Sequence, residues 1–155
     1  MMKKITLSLL VTLFVAGVAM AQIENPVKWS YTAKKISDKE YDIYITASID
    51  AKWHLYAQDA GEGPEPTTIS FTKNPLVTTV GKPKEVGKLI KEYDNNFNSV
   101  LKFYATQVSF VQRVKLKTNV ATVVKGAVNF MVCNDRKCLP PKSIPFSVNV
   151  GGKSK

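Results

Sequence analysis

Residues 41–49 read Tyr41-Asp42-Ile43-Tyr44-Ile45-Thr46-Ala47-Ser48-Ile49. Tyr41, Ile43, Ile45, Ala47 and Ile49 fall on one side of an extended chain, and Asp42, Thr46 and Ser48 on the other. A period of two with an apolar side and a polar side is the pattern of a half-buried strand. The same period recurs along the chain. Val108 and Phe110 open a second run that shifts phase near Val111 before Val114 and Leu116, and such a slip predicts a bulge in that strand. Val124, Val128, Phe130 and Val132 line one side of a third run, and Ile144, Phe146, Val148 and Val150 one side of the last.

Shorter strands are expected at Trp29–Ala33, Trp53–Ala57, Thr67–Thr72, Val86–Glu92 and Val100–Ala105. Turn-forming clusters fall between them: Gly61-Glu62-Gly63-Pro64, Asn74-Pro75, Gly81-Lys82-Pro83, Asp94-Asn95-Asn96 and Pro140-Pro141. No window of helical length keeps a 3.6-residue period. About eight or nine short strands at this spacing predict an all-β chain, a single-domain antiparallel β-sandwich of immunoglobulin-like size. The two cysteines are only five positions apart, so they do not pin two sheets together as the widely spaced pair of antibody domains does.

The first 21 residues have the form of a cleaved secretory signal. Lys3 and Lys4 supply the positive start, Ile5 to Val18 an apolar run of 14 residues, and Ala19-Met20-Ala21 a small-x-small site. Residues 1–21 are thus expected to be removed, leaving residues 22–155 as the exported domain. A 14-residue run falls short of a membrane span, and no cysteine follows the cleavage site to take a lipid anchor, so no stable membrane insertion is expected. Hydrophobic residues at 45% exclude a disordered chain. The formal charge is +10, but the lysines are scattered and form neither a basic helix nor a nucleic-acid motif. One histidine and two cysteines cannot assemble a zinc set, so no metal site is expected. A hydrolase on this scaffold has little support either, because His54 has no evident nucleophile beside it.

The chemically informative stretch is Met131-Val132-Cys133-Asn134-Asp135-Arg136-Lys137-Cys138-Leu139-Pro140-Pro141. Closing a loop of about six residues removes only roughly 2 kcal/mol of unfolded-state entropy, against about 4.7 kcal/mol for a 100-residue loop. A bridge meant purely to stabilise would gain more by joining distant strands. A short bridge at a strand end suits thiol–disulfide exchange, in which an attacking thiolate must reach one sulfur. Alternation puts Cys133 on the Met131 face of its strand. Arg136 and Lys137 favour a thiolate at Cys138, while Asp135 opposes it. On the residues alone two functions stay open: a redox pair, or a structural clasp in an exported binding module.

Cys133-Asn-Asp-Arg-Lys-Cys138-Leu-Pro-Pro, followed by Ile144-Pro145-Phe146, resembles the end of the N-terminal domain of the thiol:disulfide interchange protein DsbD. Lys52-Trp53-His54-Leu55-Tyr56-Ala57-Gln58, with Gly63-Pro64-Glu65-Pro66-Thr67 after it, is similar to that family's aromatic strand and Pro-Thr segment. Asp94-Asn95-Asn96-Phe97 is similar to its cap loop. The resemblance implies an immunoglobulin-like periplasmic domain with one redox-active cysteine pair and no cofactor. Cys138 then matches the cysteine that forms a mixed disulfide with a partner, and Cys133 the one that resolves it. Phe97, in the loop that Asp94 opens, matches the aromatic that shields the sulfurs. His54 and Tyr56 fall where the family has two tyrosines beside the site, so His54 is a departure. A second departure is the run between the cysteines, shorter by one residue than in the best-known members. The implied partners are a membrane-embedded electron donor and thioredoxin-fold acceptors, such as a disulfide isomerase or a cytochrome c maturation factor. With the sequence ending at Lys155, these partners are expected on separate chains, and a monomer is favoured.

Overall fold

The computed structural model describes residues 24–152, so the expected signal sequence lies outside the described residues. Eleven strands make up the described chain, all paired antiparallel. In chain order they are β1 (Val27–Lys35), β2 (Glu40–Ile49), β3 (His54–Tyr56), β4 (Thr68–Phe71), β5 (Val77–Gly87) and β6 (Ile90–Asp94). They continue with β7 (Ser99–Tyr104), β8 (Gln107–Leu116), β9 (Thr122–Phe130), β10 (Val132–Cys133) and β11 (Lys142–Val150). Three sheets result, with strand orders β1-β2-β8-β5, β10-β3-β7-β6 and β11-β9-β4. The fold is an immunoglobulin-like β-sandwich, as the alternation in the sequence predicts.

The period-two pattern sets the core directly. Ile43, Ile45 and Ala47 of β2 are fully buried, and Val108, Phe110 and Val114 of β8 beside it are too. They pack in one cluster with Val124, Val128 and Phe130 of β9 and Phe146, Val148 and Val150 of β11. Aromatic rings join the layers. Trp29 of β1 lies 5.2 Å from Phe130, and Tyr31 stacks on Phe146 at 5.4 Å. The polar side of β2 meets β8 through opposite charges: Asp42 pairs directly with Arg113, which donates to it from both Nε and Nη2. The guanidinium hydrogen bond holds the Asp42 carboxyl below the usual carboxylate range, partly opposed by burial.

The bulge sits one strand away from where the sequence places it. β8 keeps strict alternation through Val108, Phe110, Gln112, Val114 and Leu116, every one of them buried. The apparent slip is Gln112, a polar residue at an in-phase core position. The irregularity belongs to β5, whose register against β8 shifts between Val80 and Lys84. Gly81-Lys82-Pro83 is therefore a bulge inside a long strand rather than a turn between strands, and proline's missing N–H explains why the ladder breaks there. Gln112 Nε2 donates to the Val80 carbonyl at 3.0 Å and to the Arg113 carbonyl at 2.8 Å, so the buried amide satisfies backbone that the bulge leaves unpaired. The expected Val86–Glu92 strand likewise divides into the end of β5 and the start of β6.

Replacing Gln112 with Leu keeps the volume but strips the bulge of its donor. The expected loss is about 1–3 kcal/mol in urea unfolding. Unchanged stability would mean that backbone pairing alone holds the bulge.

Candidate functional site

The chain switches sheets at Met131. β9 ends at Phe130 in the β11-β9-β4 sheet, and β10 begins at Val132 as the edge of the β10-β3-β7-β6 sheet. Alternation continues through the switch. Phe130 and Val132 point into the large core, whereas Cys133 enters a second, smaller apolar cluster with Met131 packed against it. That cluster contains Tyr56, Ala60, Leu101, Phe103 and Cys133, with Phe97 and Ile90 at its margin.

Cys133 and Cys138 are disulfide-bonded, with Cα atoms 3.9 Å apart. The two ends of the bridge differ in access: Cys133 is 5% exposed, whereas Cys138 lies on the surface. The turn between them is held by Asn134. Its N–H donates to the Lys137 carbonyl at 2.9 Å, and its Oδ1 accepts from the N–H groups of Arg136 and Lys137, each at 2.9 Å. Leu139 N–H donates to the Val132 carbonyl at 2.9 Å and closes the hairpin behind the bridge. Lys137 Nζ pairs with Glu24 Oε2 at 2.6 Å, so Arg136 carries more of the hairpin's positive field than the sequence suggests.

β3 places the aromatic strand beside this hairpin. His54 is the cross-strand partner of Cys133, and Leu55 pairs with Val132. Leu55 is fully buried in the large core, with Trp53 packed against that same core. His54 and Tyr56 consequently face the other way, toward the sulfurs. The imidazole stacks on Phe103, with ring centroids 4.3 Å apart. Tyr56 is 4% exposed, and burial, followed by the nearby Asp94 charge, pushes its phenol above the usual value. Thr67, from the Pro-Thr segment, is fully buried and donates from Oγ1 to the Tyr56 carbonyl at 2.5 Å. Glu85 of β5 fixes the far end of the aromatic segment, accepting from Gln58 N–H at 2.6 Å.

The opposite wall is the β6–β7 turn. Asp94 Oδ1 accepts from Asn96 N–H at 2.7 Å and from Phe97 N–H at 3.1 Å, so Asp94 shapes the turn that presents Phe97. The Phe97 ring lies against the Cα of Gly63. A Cβ at position 63 would come within 2.1 Å of Phe97 Cδ1, and Gly63 also has a φ of +122° that other residues rarely adopt.

Between the walls lies a cavity of about 400 Å³, lined among others by His54, Tyr56, Asp94, Phe97, Cys133 and Cys138. All six residues singled out from the sequence therefore share one cavity. The sequence reading did not single out Asn134, Gly63, Phe103 or Thr67. For Asn134 a signal was present, since an Asn that opens a polar turn readily accepts from the backbone two and three residues on. Thr67 ends the Pro-Thr segment that resembles the family, but its bond to the Tyr56 carbonyl, like the stack of Phe103 on His54, joins residues distant in sequence. Among the described residues, no group of three or more His, Cys, Asp and Glu side chains gathers as metal ligands, and no helix is long and apolar enough to cross a membrane.

Solved structures resemble this fold at low sequence identity. The N-terminal domain of DsbD from Neisseria meningitidis in its reduced form superposes with a TM-score of 0.53 at 14% identity, over 85% of this chain and 94% of that one. The same organism's DsbD N-terminal domain, in the complex with the PilB N-terminal domain, gives 0.50 at 13% identity, over 81% and 87%. The N-terminal periplasmic domain of ScsB from Proteus mirabilis gives 0.51 at 16% identity, covering 81% of this chain but only 45% of that one. No curated protein sequence matches. The sequence model of the N-terminal domain of the thiol:disulfide interchange protein DsbD matches residues 23–149, and the chain belongs to that family.

Proposed function

We propose that this domain carries electron pairs between proteins of the periplasm by thiol–disulfide exchange at Cys133 and Cys138. The observation that carries this reading is the unequal access of the two ends of the bridge within one lined cavity. In the reduced domain, the Cys138 thiolate attacks the disulfide of an oxidised partner. A Cys138–partner disulfide forms, and one partner sulfur leaves as a thiolate. Cys133 Sγ then attacks Cys138 Sγ. The Cys133–Cys138 bridge closes, and the second partner sulfur departs with the electron pair. Two electrons have passed to the partner, and a reduced donor reloads the bridge by the reverse sequence.

The site has a role for each neighbour. Arg136, in the exposed turn, favours the thiolate at Cys138. Phe97, packed against the cluster that holds Cys133, has the shielding role, which limits loss of electrons to small oxidants. Tyr56, kept neutral by burial, fills the floor and can donate a hydrogen bond. The complex of the Neisseria domain with PilB supports a protein as the exchange partner. Thioredoxin-fold proteins fit the accepting side, and a membrane-embedded protein the donating side. The signal-like residues 1–21 and the periplasmic ScsB relative support the location.

Three measurements test this reading. With Cys133 changed to Ser, the domain should accumulate a mixed disulfide with partner proteins through Cys138, whereas Cys138→Ser should trap none. Equal trapping by both variants would remove the assignment of attacking and resolving sulfurs. The bridge should equilibrate with glutathione at a potential of about −180 to −270 mV, whereas a value below roughly −300 mV would make it a structural clasp. Finally, Phe97→Ala should speed reduction of the bridge by a small dithiol several-fold, and an unchanged rate would deny Phe97 a covering role.

A further inference from the structure

We infer that His54 is the proton acceptor for Cys133 in the resolving step; this rests on the exchange reading above. His54 and Cys133 are direct cross-strand partners on β3 and β10. Side chains at such positions stand on the same face, their Cβ atoms about 4.5–5.5 Å apart. Both line the cavity, and the opposite-face residues Leu55 and Val132 are buried in the large core. The imidazole is held in place by its stack on Phe103. A titratable ring thus stands at the register position opposite the buried cysteine.

The two sulfurs have different needs. Cys138 lies at the surface next to Arg136 and Lys137, where cations and water support a thiolate. Cys133 is 5% exposed, packed among Tyr56, Leu101 and Phe103, and burial of this kind disfavours a thiolate. Its attack on Cys138 is difficult while the thiol keeps its proton. The histidine accepts that proton as Cys133 Sγ bonds to Cys138 Sγ. The electron pair of the Cys138–partner bond leaves on the partner sulfur, which takes up the proton from the imidazolium. Charge and electrons balance without any further reagent.

Other titratable groups share the cavity. On β3 and β10 these are Tyr56 and Cys133 itself. The β6 side contributes Glu92, Tyr93 and Asp94, and the hairpin contributes Asp135, Arg136, Lys137 and Cys138. Of these neighbours, Tyr56 shares the strand and face of His54, but its raised phenol does not accept a proton at neutral pH. The carboxylates come from β6, its turn and the hairpin turn rather than from a register position beside Cys133.

The test uses reduced domain mixed rapidly with an aromatic disulfide whose thiolate is coloured, so that each step releases one equivalent. In the wild type, the rate of the second release should show an inflection with pH. His54→Phe keeps a ring to stack on Phe103, and His54→Gln is the second variant should the first fold poorly. Either should slow the second release by roughly 10²-fold at neutral pH, the lower end of what a positioned base supplies, and abolish its inflection. The first release, made by Cys138, should keep its rate. Variants that match the wild type in the second release, or that slow both releases alike at every pH, overturn the role of His54. A wild-type pair that releases no second equivalent overturns the exchange reading and this role together.

Discussion

Everything at the site depends on one short segment, from the end of β9 to β10, having to serve two apolar clusters at once. Between Phe130 and Cys133 the side chains alternate between the large core and the small one while the backbone passes from one sheet to another. Phe130 and Val132 anchor the passage from the large core, and their burial fixes where the next residue must point. Cys133 is consequently delivered to the small cluster with its register against His54 already determined. A one-residue slip would turn Val132 into the cavity and the sulfur into the sandwich, which is why the register is firmly specified here.

The two rims of the cavity are built by a different kind of interaction. Asp94 on one side and Asn134 on the other each accept backbone N–H groups two and three residues ahead. Each rim is therefore shaped by its own short segment. The strands set only the separation between the rims, through β3 and β7 lying between β10 and β6. The Lys137–Glu24 pair is exposed at both ends and adds little stability, but it ties the segment before β1 to the hairpin.

Much of this could be read in the amino-acid order, because alternation reports burial directly. The faces of β2, the opposed faces of Trp53/Leu55 and His54/Tyr56, and the shared face of Met131 and Cys133 all follow from counting by two. What escaped that count had a physical cause. Gln112 occupies a core position with a polar side chain, so the pattern looked broken where the structure is regular. Gly81-Lys82-Pro83 has the composition of a turn, yet the long partner strand β8 carries the chain through it as a bulge. The gathering of the six site residues came from family resemblance. Spacing alone does not bring Phe97 and Cys133 to one cavity, since that depends on β7, β3 and β10 being neighbours. The contacts of Thr67 and Phe103 escaped for the same reason.

The contact between Gly63 and Phe97 bears on how such a site can vary. The ring rests on bare backbone, with no side chain between them to give way. Positions 63 and 97 are therefore a single unit of change: the first can gain a side chain only where the second has lost its ring. The space open to the ring at position 97 is thus set from a loop 34 residues earlier in the chain.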